Sequence, residues 1–142
     1  MKNGSLDDVG TLRPDEGRGE PLFADEPGTL GQLFVYAVKQ YPENNFLNFK
    51  RDSRWHSFTS AEMIERFENL ALGLYSLGLQ KGDRVAILAR NSPEWTITDA
   101  GCQFAGIVDV PIYTTLAPES VEYILRDSGA RVLFLEDRAS HD

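Results

Sequence analysis

Three short apolar runs near the end of the chain constrain its fold more than anything else in it: "RVAILA" from Arg84, "IVDVPIY" from Ile107 and "RVLFLE" from Arg131. Val85 to Leu88 are apolar at four consecutive positions, with no polar alternation. A strand reads this way when both of its faces are buried, as in a parallel sheet. Helix-patterned segments separate the three runs, and the links between them are short. The β-α-β-α-β order predicts parallel strands joined by right-handed crossovers. The expected fold class is α/β, with a βαβαβ part of a doubly wound, mostly parallel sheet. Three such strands leave edges and a face uncovered. The expectation is therefore an incomplete fragment of a larger domain.

The segment upstream predicts a helix and a β-hairpin. Thr29 precedes Leu30, Leu33, Phe34, Ala37 and Val38, an amphipathic stripe with Thr29 as its N-cap. Pro42 stops that helix after Tyr41. "NFLNFK" and "RWHSFT" then read as two extended segments joined near Arg51-Asp52-Ser53. Thr59-Ser60-Ala61-Glu62 has the spacing of a capping box. Met63, Phe67, Leu70, Leu74 and Leu77 follow as one apolar seam, which Gly78 closes before the tight turn Lys81-Gly82-Asp83. Residues 1–28 are dense in Gly, Pro and Asp and read as a flexible acidic leader. The ordered domain is expected over 29–142.

Charge and cysteine content narrow the function classes. The net charge is -8, from 14 basic and 22 acidic residues. A bulk field of that sign argues against nucleic-acid partners, because phosphates need a basic face. Cys102 is the only cysteine, so no internal disulfide can form, which suits a reducing cytoplasm. No apolar run approaches the ~20 residues of a membrane span. The expected localisation is cytoplasmic, and peripheral contact with a membrane stays open.

Few residues bear chemistry. Asn91-Ser92-Pro93-Glu94-Trp95 sits where a strand turns into a helix, a common phosphate-binding position. Ser92 is a good N-cap, Pro93 is favoured at N1, and Glu94 complements the helix dipole but opposes an anion. No glycine lies between Ala86 and Gly101 to let a phosphate approach, so the helix-start reading prevails. Ile97, Ala100, Gly101, Phe104 and Ala105 form the inward stripe, with Cys102 off it and read as a structural thiol. His56 has no catalytic partner nearby in the sequence and reads as a strand residue. Asp109 interrupts an apolar strand, either at a sheet edge or reaching into a cleft. Ligands of open parallel sheets gather outside the carboxyl ends of strands, which makes Tyr113, Thr114 and Thr115 cleft candidates. Their other reading is a turn before the next helix. There is no Walker A loop, GxGxxG fingerprint, metal-spaced His/Cys cluster or nucleophile elbow.

From about Thr29 to Asp137 the sequence resembles the N-terminal region of the adenylate-forming enzymes, the AMP-binding acyl-CoA synthetase superfamily. "WHSFTSAEM" resembles the family's early Trp-to-Thr segment, and "LALGLYSLGLQKGDRVAILARNSPEW" its helix, GDRVA turn, strand and helix start. "FAGIVDVPIYTTLAPESVEYILRDSGARVLFLED" resembles the strand and helix that follow. Within the superfamily, "NSPEW" with "PIYTTLAPESVEYIL" looks most like long-chain fatty acid–CoA ligases, with Asp109 and Gly101-Cys102 as departures. The resemblance implies ATP, Mg²⁺ and CoA as cofactor and co-substrates of the whole enzyme. A fatty acid would be activated as its acyl-adenylate and then transferred to the CoA thiol. The family's phosphate loop and catalytic lysine match nothing here, so no catalytic, cofactor-binding or metal residue is carried over. The fragment alone is expected to be inactive and to need the rest of the adenylation domain. The competing reading is a free-standing, non-catalytic α/β binding or regulatory module.

Overall fold

The computed structural model describes residues 27–137. The leader reading for 1–28 falls almost entirely outside them. Two sheets and four helices follow in chain order. They are α1 (Leu30–Gln40), β1 (Leu47–Arg51), β2 (Arg54–Phe58), α2 (Ser60–Ser76), β3 (Arg84–Leu88), α3 (Pro93–Phe104), β4 (Val108–Ile112), α4 (Pro118–Ser128) and β5 (Val132–Leu135).

The helix starts follow from single side chains. Thr29 Oγ1 accepts from the Gln32 amide, and Ser92 Oγ accepts from the Trp95 amide. Thr59 and Glu62 complete the capping box: Thr59 Oγ1 accepts from the Glu62 amide, and the Glu62 carboxylate accepts from the Thr59 amide. The Thr59 amide, together with the Thr59 hydroxyl that donates to the same carboxylate at 2.9 Å, holds the Glu62 carboxyl below its ordinary range. β1 and β2 pair antiparallel as the expected hairpin, through Asp52 and Ser53, both in the left-handed region at φ 51° and 62°.

The second sheet is all parallel, in the order β4-β3-β5. The chain steps from β3 to β4 in one direction and returns past β3 to reach β5. Right-handed crossovers then put α3 and α4 on opposite faces. Val85, Asp109 and Val132 are in register and share one face. The core on that face joins Val85 to Ala71 and Leu74 of α2, to Cys102 of α3 and to Ala105 just beyond it. A second cluster, around Met63, Phe67 and Ala100, reaches the hairpin through Leu47 and Phe58. The rings of Phe34, Phe67 and Phe104 tie α1, α2 and α3 together, with centroids 5.5–6.4 Å apart.

Three side-chain expectations need correction. Leu77 is not part of the α2 seam. It is the C-cap and 64% exposed, because the chain reverses at Gly78. Leu30 and Leu33 point outward, and α1 instead buries Gly31 against the Phe104 ring. Cys102 is fully buried rather than off the packed surface. α3 is covered by α2 as well as by the sheet, so its buried surface is wider than one stripe.

Candidate functional site

The carboxyl end of the parallel sheet is where this topology would place a ligand. The loop leaving β3 runs toward β4 and away from β5. Among the described residues the ends of β3 and β5 therefore lie side by side with no crossover above them, which is the switch-point geometry of doubly wound sheets.

An ion pair closes that gap. Arg90 Nε lies 2.9 Å from each oxygen of Glu136, and Arg90 Nη2 is 2.6 Å from Oε1. The Arg90 amide donates to the same carboxylate at 3.2 Å. The Arg90 side chain holds Glu136 below the usual carboxylate range, and Glu136 in turn raises Arg90. A carboxylate fixed in this way is a poor proton acceptor. The pair can latch two strand ends or present a charge, but it is not a general base.

The expected cleft residues lie elsewhere on the same rim. Tyr113 is 79% exposed, and its carbonyl accepts from the Leu116 amide, closing a turn. Thr114 and Thr115 are exposed, and neither side chain makes a hydrogen bond among the described residues. The turn-forming role is thus the one with geometry behind it. At the helix-start junction, Ser92 caps α3, and Glu94 bonds Arg51 of the hairpin at 2.7 Å. That contact keeps Glu94 ionised below its ordinary range. His56 stacks on Phe49 within the hairpin, with ring centroids 5.4 Å apart.

Asp109 faces α3, where it meets Asp99. Burial pushes the Asp99 carboxyl up, and the Asp109 charge adds to the shift. Gln103 Nε2 donates to Asp99 at 3.1 Å, while its own Oε1 is buried without a partner. Cys102 lies beside this pair. Burial first, and the two carboxylates second, push its thiol up to about 12, so it is no nucleophile at neutral pH. The acid pair and the Arg90–Glu136 latch both escaped the sequence reading. Glu136 is 46 residues from Arg90, and only the strand order brings the two together. Asp109 could have been matched to Asp99 by supposing that α3 packs on β4.

Among the described residues, no group of three or more His, Cys, Asp or Glu could hold a metal ion. Nor does any described helix have the length and apolar character to cross a membrane.

Comparison with known proteins gives one consistent answer. Residues 34–142 match the AMP-binding enzyme family. The chain is 36% identical over 119 residues to the long-chain fatty acid–CoA ligase ACSBG1 of Mus musculus, covering 84% of this chain and 16% of that protein. It is 46% identical over 85 residues to the long-chain fatty acid–CoA ligase FadD15 of Mycobacterium bovis, covering 60% of this chain and 14% of that protein. Among solved structures, a Mycobacterium tuberculosis fatty acyl CoA synthetase superposes with a TM-score of 0.67 at 33% identity, over 75% of this chain and 21% of that one. The N-terminal subdomain of Klebsiella oxytoca NpsA, in complex with 3-hydroxyanthranilyl-AMSN, gives 0.65 at 27% identity, over 79% of this chain and 28% of that one.

Proposed function

We propose, since the chain belongs to the AMP-binding enzyme family, that it is the N-terminal scaffold of an ATP-dependent long-chain fatty acid–CoA ligase. In that role the whole enzyme would activate a fatty acid as its acyl-adenylate and pass it to CoA. The observation that carries the reading is the family match across 34–142, which coincides with the described fold. The long-chain ligases among its relatives support the substrate class. The chain spans about 16% of the length of the first of these relatives.

Among the described residues, neither the α3 start nor the Tyr113–Ala117 loop fits ATP, and no group of carboxylates fits Mg²⁺. Ser92 caps α3 itself and Glu94 sits in its first turn, so the helix start is already satisfied and locally acidic. The loop from Tyr113 to Ala117 has no glycine to let a phosphate approach the backbone. The described carboxylates form no metal-holding group. The contribution of this chain is therefore architectural. It supplies three parallel strands, with β3 and β5 latched at their carboxyl ends, for further strands of an adenylation domain to extend.

The test is ATP–pyrophosphate exchange with long-chain fatty acids. Residues 1–142 alone are expected to give none, and a polypeptide that continues through the rest of the adenylation domain is expected to give fatty-acid-dependent exchange. Exchange by residues 1–142 alone would place the reactive machinery within them and overturn the scaffold reading.

A further inference from the structure

A groove of about 690 Å³ runs along α1 on the side turned toward α2 and α3. Gly31, Val35 and Lys39 line it at steps of four residues, so it follows the helix axis for about 12 Å. Phe104 and Gln103 of α3 and Glu68 of α2 supply the facing wall. Pro27, the first described residue, is part of the lining too.

The described residues leave the chemistry of this groove unmatched. Gln103 Oε1 is buried with no hydrogen-bond donor, and such an acceptor costs free energy until one reaches it. Lys39 makes no ion pair or hydrogen bond among the described residues. Tyr36 leaves 44% of its surface exposed beside Val35. An occupant that suits these groups carries backbone N–H donors, apolar side chains and a carboxylate.

We propose that this groove is the docking site of the chain's own segment Glu20-Pro21-Leu22-Phe23-Ala24-Asp25-Glu26. Leu22-Phe23-Ala24 is the longest apolar run before Pro27. Because Pro27 already lines the groove, the residues before it enter there without a search. Extended chain from Pro27 back to Leu22 spans at most about 17 Å, enough to carry Leu22 and Phe23 the length of the groove. Glu20, two residues farther, then comes level with Lys39. Glu20 and Glu26 each precede a proline, which biases both toward extended backbone. Backbone in that form turns N–H groups outward, and Gln103 needs one. The covalent link also gives the segment an effective concentration on the order of millimolar, above that of a dilute free peptide or small molecule. The inference does not depend on the ligase reading, and its test involves no catalysis.

The experiment is disulfide trapping in the full chain at low concentration. Ala24→Cys is combined either with Tyr36→Cys in the groove or with Leu30→Cys, an exposed position of α1 outside the groove lining. Cys102 is fully buried and stays in place. Leu30 is much nearer to Ala24 along the chain than Tyr36 is, and shorter loops close more readily. An undocked segment therefore links to Leu30→Cys the faster. Docking is expected to reverse that order, with Tyr36→Cys ahead by roughly tenfold, and L22S/F23S to restore it. Amide exchange from Val35 to Lys39 gives a second reading without added cysteines. L22S/F23S should speed it roughly tenfold, the change for losing partial burial of two apolar side chains, and leave the α4 amides as they were. Unchanged circular dichroism shows that each variant folds. Three trapping results overturn the proposal: faster linking to Leu30→Cys, linking indifferent to L22S/F23S, or disulfide-joined dimers in place of the internal link. The dimers would give the groove to a second copy. Exchange in α1 that ignores L22S/F23S overturns it too, since that segment would then leave the groove uncovered.

Discussion

Helices α3 and α4 are near equals in length, and each begins with proline at its first turn. They differ in almost everything else. α3 buries Pro93, Thr98, Ala100, Gly101 and Cys102, although its apolar pattern is weak. α4 has the cleaner amphipathic pattern and buries nothing. The difference teaches what periodicity measures. A strong apolar stripe says that one face wants cover, and α4 finds it only partly, on β4, with Tyr123 left exposed. A helix packed on two sides, by α2 and by the sheet, needs small or apolar residues around most of its circumference, which blurs the stripe.

The sharpest way to break this contrast is Gly101→Ala. A Cβ at Gly101 would lie 2.8 Å from the Cβ of Leu70, so α2 and α3 would have to move apart. The expected loss is about 1–3 kcal/mol by denaturant titration. Gly73→Ala on α2 meets nothing within 4 Å and should instead gain about 0.5–1 kcal/mol. Tyr123→Ala on α4 should change stability by no more than about 0.5 kcal/mol. A larger loss at Tyr123 than at Gly101 would mean that α4 is covered in solution, for instance by self-association.

The caps sharpen the same comparison at smaller scale. Ser92→Ala removes the hydroxyl that accepts from the Trp95 amide, and should cost about 1 kcal/mol. Ala117 caps α4 from an extended backbone but has no side chain to accept a hydrogen bond. Ala117→Ser should therefore gain about 0.5–1 kcal/mol. Equal and opposite shifts in the two midpoints would show that helix starts, and not only burial, separate α3 from α4. No gain at Ala117 would mean that the extra hydroxyl is satisfied equally well by water in the unfolded chain.

Local chemistry made most of the fold legible. Thr29, Thr59 and Ser92 announce three helix starts, and the unbroken run from Val85 to Leu88 announces a parallel strand. What stayed hidden depends on order and direction. That β5 pairs with β3 rather than β4 cannot be read from either strand, so the Arg90–Glu136 latch could not be foreseen. Helical spacing placed Cys102 outside the core because it assumed a single covered face. For Tyr113 to Thr115 the rule about strand ends left a cleft and a turn equally open, and the Leu116 amide on the Tyr113 carbonyl supplies geometry for the turn.

The smallest expected effect tests why α3 tolerates a charge against β4 at all. Asp99 carries a raised carboxyl value, first from burial and then from the Asp109 charge. A raised value in the folded state means that folding favours the protonated form. Where both carboxylates are ionised they repel, and the folded state is penalised. The penalty disappears as pH falls through the raised Asp99 value toward the ordinary Asp range near about 4. Asp109→Asn removes one of the charges and keeps the shape. It should raise stability at pH 7, by less than about 1 kcal/mol because both groups are partly exposed. The gain should shrink toward zero as pH falls through that window. The Cys102 thiol, pushed up to about 12, stays neutral throughout and cannot produce the effect. If Asp109→Asn destabilises at pH 7, Asp109 is held by an attraction, and the acidic pair is not the weak seam between α3 and β4.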